Sequence, residues 1–326
     1  MSKLQTIKLK NSHGMEVDLL NLGARIGSIK YPVAGKLVEM LLTYQGYNKY
    51  QLDPFYLGAT VGRVSNRISK SSFTLKGTNY SLMANDGKNC LHGGPYGMSH
   101  RLWSASLNPQ SHNSVIFSLL SPDKDQGFPG ELSVTVEYSL NDCNELLIVF
   151  NATSSSDTVV ALCNHAYFTL GEKNVEQLEL KLDTLGFLPI DEQMIPTGEV
   201  SIDSLFDFSK FQKLGEMLSR IRSSGSQYKK GYDHCYILNK PSLKTTSATL
   251  ISKLNQVKLS ISTSQPGLQL YTGGHLFNEF SPYQAVCLEA QALPNAVNQQ
   301  NFPSIFLRAG DLYQEKVVYK FENLLK

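Results

Sequence analysis

"ELSVTVEYSL" (residues 131–140), then "NDCN" (141–144) and "ELLIVFNATS" (145–154), decides how the chain is read. In the first segment Val134, Val136, Tyr138 and Leu140 alternate with Ser133, Thr135, Glu137 and Ser139. Alternation with period two puts the apolar set on one face of a β-strand and the polar set on the other. The Asn/Asp cluster is turn chemistry. The run after it is almost continuously apolar, as for a strand covered on both faces. The stretch predicts an antiparallel hairpin.

Working outward, similar short runs recur: "MEVDLLNLG", "SVIFSLLS", "QLELKLDT", "SATLISKL", "VKLSISTS" and "QAVCLEAQ", punctuated by Gly, Pro, Asn and Asp. Helical signal is sparse. In "SKFQKLGEMLSRI", Phe211, Leu214, Leu218 and Ile221 form one apolar stripe behind Ser209, a candidate N-cap; "YQGYNKYQ" reads as a short helical turn. With no linker-like shift in composition and no repeat, residues 1–326 read as a single all-β domain. Its simplest architecture is a large antiparallel β-sandwich with few short helices.

Of the 326 residues 41% are hydrophobic and 18% charged, the composition of a soluble globular protein. A formal net charge of +2 without any Lys/Arg-rich block argues against nucleic acid or an anionic membrane as partner. The first residues, "MSKLQTIKLKNSHG", carry no long apolar run, so the expected location is the cytosol. Cys90, Cys143, Cys163, Cys235 and Cys287 are scattered and never form C-x-x-C, which predicts reduced thiols rather than a disulfide framework or a cysteine zinc cage. Without a secretory signal, the sequons at Asn79 and Asn151 read as chance.

No P-loop, G-x-G-x-x-G, H-E-x-x-H or G-x-S-x-G is present. What stands out is polar residues inside apolar or Gly-rich surroundings. His165, in "ALCNHAYFTLG", shares a strand face with Cys163 and Tyr167 if the segment is regular; it is either a satisfied core histidine or a pocket residue. Glu289, between Leu288 and Ala290, is either an edge-strand surface residue or a buried carboxylate. Desolvation would lift a buried one from its usual ~4.3 towards a working base. Asp233 and His234 are adjacent, so in a strand only one faces a given pocket. His92 precedes two glycines, which allow close backbone approach or a tight turn. For Arg63 and Arg67 the plain reading is a solvated loop with surface ion pairs.

Taken in order, these segments resemble the aldose 1-epimerase (galactose mutarotase) family. The resemblance runs through "LKNSHGMEVDLLNLGARIGSI", "PFYLGATVGRVSNRI", "FTLKGTNYSLMANDGKNCLHGG", "NHAYF", "DHCYIL", "QPGLQLYTG", "CLEAQALPNAVNQQNFPS" and "LRAGDLY", nearly the whole chain. It implies a β-sandwich whose open face holds a monosaccharide, with no metal or organic cofactor. Segment by segment, it implies His165 as general acid and Glu289 as general base, with Asn66, Arg67, His92, Asp233 and Gln269 at the sugar and Tyr167 lining the pocket. The chain departs from the usual pattern at Ser65 (commonly Ala), Cys163 (commonly Thr), Asn295 (commonly Asp) and Gly274-His275 (commonly Gly-Asn). None of these removes a proton-transfer group.

Anomer interconversion opens a cyclic hemiacetal and closes it on the other face of C1. A carboxylate and an imidazolium on opposite sides of the C1–O5 unit would take one proton and give another together. The competing readings are a two-carboxylate glycosidase using Glu289 and Asp233, a non-catalytic sugar-binding or sensor protein, and a metal enzyme using His92, His165 and Glu289. Oligomeric state has no signature in the sequence.

Overall fold

The computed structural model describes residues 3–108, 111, 113–225 and 227–324. The hairpin forms as the period-two pattern predicts. Leu132–Leu140 pairs antiparallel with Glu145–Ser154, placing Val134 opposite Ala152, Val136 opposite Phe150 and Tyr138 opposite Ile148. Asn141 closes the turn, its side-chain oxygen accepting from the Cys143 and Glu145 amides, while Asn144 takes the left-handed φ of 57° that Asn tolerates. The second strand departs from expectation. Leu146, Ile148 and Phe150 are buried, but Leu147 and Val149 are only half-buried, so one face packs on the core and the other is partly open.

This hairpin sits in a nine-stranded sheet. Its order is Ser104–Leu107, Ser114–Ser121, Leu132–Leu140, Glu145–Ser154, Tyr313–Asn323, Val257–Thr263, Ala248–Ser252, Leu178–Leu182 and Gln212–Lys213. A five-stranded sheet faces it, ordered Tyr167–Phe168, Val286–Gln291, Gly267–Tyr271, Asp233–Leu238 and Thr184–Phe187. Between them lies a continuous apolar core containing Val136, Ile148, Phe150, Phe168, Leu259, Leu268, Leu288 and Tyr319, all essentially inaccessible to water. Each such side chain contributes about 1.5–3 kcal/mol relative to exposure. A four-stranded sheet, Thr6–Lys10, Glu16–Leu20, Arg25–Val33 and Lys36–Glu39, adds to the same core through Leu9, Val17 and Ile29. This is the layered antiparallel β architecture expected from the sequence.

The helix starts later than its apolar stripe suggested. Gln212–Lys213 instead pairs as an edge strand with Leu178–Leu182, leaving Phe211 exposed and Ser209 away from the cap. The α-helix, Leu214–Ser223, buries Leu214, Met217, Leu218 and Ile221 at i, i+3, i+4, i+7 and is preceded by Lys213 without any side-chain cap. Sheet pairing outweighs a serine cap worth about 1 kcal/mol. "YQGYNKYQ" runs into a 3₁₀ turn, Tyr47–Leu52. No helix among the described residues is long and apolar enough to cross a membrane.

Candidate active site

The five-stranded sheet turns Val286, Leu288 and Ala290 towards the core and Cys287, Glu289 and Gln291 to the other face. Register then aligns two rows on that second face. One runs Asp233–Tyr271–Cys287–Tyr167, the other Cys235–Gln269–Glu289. Glu289 lies on the second of the five strands and is 2% exposed, which removes the edge-strand surface reading.

His165 lies between two short strands, Cys163–Asn164 and Tyr167–Phe168. Its own backbone is clamped to the facing loop, N–H to Ala59 and C=O from the Gly58 amide, both at 2.9 Å. Asn164 reinforces that clamp, donating from Nδ2 to Gly58 O at 2.8 Å. The imidazole stacks on Tyr167 (centroids 5.0 Å, 19°) and meets the edge of His92 at 5.2 Å. Nε2 then lies 3.6 Å from Glu289 Oε1, and Nδ1 lies 3.6 Å from Cys287 Sγ. The two groups sit side by side rather than across a gap, so they suit two oxygens bonded to one carbon.

A cleft of about 330 Å³ opens over this pair. Asn66, Arg67, His92, Tyr167 and Asp233 line it with His165 and Glu289. "GRVSNRI" and "NCLHGG" meet there because Arg67–Ile68 pairs with Cys90–Leu91. Asn66 and His92 both adopt left-handed φ, 57° and 51°, and hold each other: His92 N–H donates to Asn66 O, and Asn66 N–H donates to His92 Nδ1. An Nδ1 that accepts leaves the ring proton on Nε2, so neutral His92 is a fixed donor. Arg67 is oriented by Asp86, Nε to Oδ2 at 2.7 Å.

Gln269 stands one layer back. It does not line the cleft; its amide donates to Asp233 Oδ1 at 2.6 Å and fixes that carboxylate. His234 points the opposite way from Asp233, into Phe187, Phe206 and Tyr228, as strand alternation requires. Arg63 corrects the solvated-loop reading: it is 2% exposed, donating to Ser121 Oγ and to the Ser121, Pro122 and Pro129 carbonyls, and burial lowers its pKa to about 10. Arg67 lines the cleft, and its partner Asp86 is the half-exposed member of that pair.

The sequence did not single out Tyr56, Asp86, Tyr271 or Phe277, all of which line the cleft. Phe277 packs edge-on against Phe55 and stays half exposed at the mouth, an apolar platform. Of the departures from the family pattern, Cys163 touches Glu289 and His275 reaches the cleft. Asn295 instead braces a turn, accepting from Ser69 N and Asn298 Nδ2.

Burial dominates the electrostatics. It pulls the His165 pKa down to about 4 and pushes Glu289 well above the carboxylate range, with the negative charge of Asp233 adding to the latter. It also raises Asp233, which Arg67 opposes, and holds His92 well below its ordinary value. Opposite charges 3.6 Å apart on His165 and Glu289 attract by about 4–5 kcal/mol at an effective dielectric near 20. Desolvation and attraction thus oppose one another across the pair. His165, Cys287 and Glu289 also place ligand atoms within 4.8 Å of one another. The nearest contact of Nδ1 is to the thiol and that of Nε2 is to the carboxylate.

The aldose 1-epimerase family model matches residues 5–320. The chain is 35% identical to galactose mutarotase of Sus scrofa, covering 95% of this chain and 92% of that protein. It is also 35% identical to aldose 1-epimerase of Escherichia coli K12, covering 97% and 94%. Among solved structures, an aldose epimerase homologue from C. elegans superposes with a TM-score of 0.90 at 30% identity, over 99% of this chain and all of that one. On sequence and fold together, the chain belongs to the aldose 1-epimerase family.

Proposed function

We propose that this protein interconverts the α and β anomers of a free aldose, galactose and glucose included, by opening and reclosing the ring. The observation that carries this reading is the approach of His165 Nε2 to Glu289 Oε1 in a polar cleft of monosaccharide scale. A protein that only binds sugar needs no such pair.

The reaction begins with imidazolium and carboxylate. Glu289 takes the proton of the C1 hydroxyl while the C1–O5 bond breaks and His165 gives its proton to O5. The product is the open-chain aldehyde, with Glu289 protonated and His165 neutral. Rotation about C1–C2 presents the other face of the aldehyde. His165 then takes the C5 hydroxyl proton as O5 attacks C1, and Glu289 returns its proton to O1. The pair carries one proton throughout and only relocates it. Burial favours the neutral pair formed with the aldehyde, and attraction favours the ion pair at either end, so neither state is a deep trap. His92 Nε2–H and the Arg67 guanidinium supply fixed donors for negative character on the ring oxygen. Asp233, held by Gln269, accepts from a substrate hydroxyl, and Phe277 offers a stacking surface for the apolar face of the sugar. These roles are supported by position and donor chemistry.

Polarimetry on freshly dissolved α-galactose and α-glucose tests the reading. Enzyme-dependent acceleration over the spontaneous rate, unaffected by a chelator, is expected. Hydrolysis of an aryl glycoside, or sugar binding without acceleration, would overturn it. We place the protein in the cytosol, consistent with four buried free thiols, Cys90, Cys163, Cys235 and Cys287; fractionation of cells carrying a tagged chain checks this.

A further inference from the structure

We propose that Cys163 is a positioning residue that sets the basicity of Glu289, its thiol proton moving between Glu289 Oε2 and Gln291 Oε1 as the base ionises and is protonated. The inference rests on the assignment of Glu289 as base. Cys163 is fully buried in the two-residue strand ahead of His165, with Sγ 3.7 Å from Glu289 Oε2 and 3.9 Å from Gln291 Oε1. Among the described residues it is the side-chain hydrogen-bond donor to Glu289. A thiol has one proton, so it serves one acceptor at a time. An ionised Glu289 draws it; a protonated Glu289 leaves it to the Gln291 carbonyl.

The chemistry of the donor matters here. S–H is a weak donor, whereas an O–H on a carboxylate makes a short, charge-assisted bond about twice as strong as a neutral one. A hydroxyl at this position would stabilise the carboxylate and make it a poorer base. Sulfur holds the side chain in place while doing little to quench its basicity. The thiol is itself shielded: burial and the neighbouring carboxylate push its pKa well up, so it stays protonated and available as a donor.

Other groups bear on Glu289 as well. His165 faces it at 3.6 Å, and Asp233 and Arg67 act across the cleft. The thiols of Cys235 and Cys287 and the phenols of Tyr167, Tyr271 and Tyr319 sense its charge. None of these changes when residue 163 alone is replaced, which makes a series at that position informative.

The experiment measures the pH profile of kcat/KM for the parent and for Cys163→Ser, Cys163→Thr and Cys163→Ala. Because His165 and Glu289 titrate as a pair, either limb can move. The sum of the two limiting pKa values, however, changes by the full change at Glu289, whichever partner holds the shared proton. Ser and Thr should lower that sum by about one unit, and Ala should raise it by roughly half a unit. A merely structural residue would lower rates without ordering the sums in this way. Sums that agree within about 0.2 unit across the series would overturn the proposal; Ser keeps the test available if Thr does not fold. Glu289→Gln separates the two levels: full activity in that variant defeats the base assignment, whereas unmoved sums with an inactive Glu289→Gln defeat only the role of Cys163.

Discussion

Titrating kcat/KM from about pH 4 to about pH 10 interrogates the His165–Glu289 pair directly, because that ratio reports the free enzyme. The productive form carries one proton on the pair. The acid limb is the addition of a second proton, and the alkaline limb is the loss of the last. The separation of Nε2 and Oε1, 3.6 Å, sets the coupling at about 4–5 kcal/mol, or roughly 3 pK units. If the neutral pair dominates, the limbs fall at the separate pKa values of the two groups, which then differ by more than the coupling. If the ion pair dominates, attraction pulls Glu289 down and lifts His165, and the gap again exceeds the coupling. Either way the plateau spans at least about 3 pH units. Polarimetry with the spontaneous rate subtracted at each pH is the assay. Glu289→Gln removes the coupling, and its residual rate should show a single limb. A parent plateau narrower than about 1.5 units would refute the paired-proton account.

Glu289→Gln and His165→Asn should each slow turnover by at least ~100-fold with the fold intact by circular dichroism; near-parental rates in either would remove that residue from the chemistry. Asp86→Asn loosens Arg67, a donor to the ring oxygen, and should lower kcat/KM about fivefold, equivalent to about 1 kcal/mol, with kcat falling as well, as steady-state kinetics will read. His234 is buried among aromatic rings, which lowers its pKa to about 3. The unfolded chain therefore takes up a proton below about pH 6.5 that the folded one refuses, so stability is full above that pH and is lost progressively as pH falls towards 3. Between pH 7 and pH 5 the loss from this residue is about 2 kcal/mol, and urea unfolding of His234→Phe should show a correspondingly shallower pH dependence.

Much of this was legible because strands advertise themselves. The alternation in 132–140 and the turn at 141–144 reported one face and one loop, and the hairpin followed. Glu289 was visible as a carboxylate inside an apolar strand, and His165 as an imidazole in a comparable run. What stayed hidden depends on partners remote in sequence. Asp86 sits in a turn-like "MANDGKNC" and gains meaning only when Arg67 arrives beside it. Arg63 looked like a loop cation because its acceptors are mostly backbone carbonyls of residues 121–129, which no side-chain pattern announces. The helix boundary was displaced because an edge strand claimed Gln212 and Lys213 first. Gln269 showed its position on a strand but not that its amide would be spent on Asp233.

The strand Tyr313–Asn323 lies in the interior of the nine-stranded sheet, bonded to Glu145–Ser154 on one side and Val257–Thr263 on the other. Both neighbours leave the ribosome before it does. Until it arrives, each presents a bare row of amide and carbonyl groups, the kind of edge that recruits foreign strands. Synthesis therefore exposes two such seams at once, and newly made chains pass through a stage in which aggregation competes with closure. Yield in a cell should respond to chaperone supply and to growth temperature more steeply than the finished protein's stability would suggest.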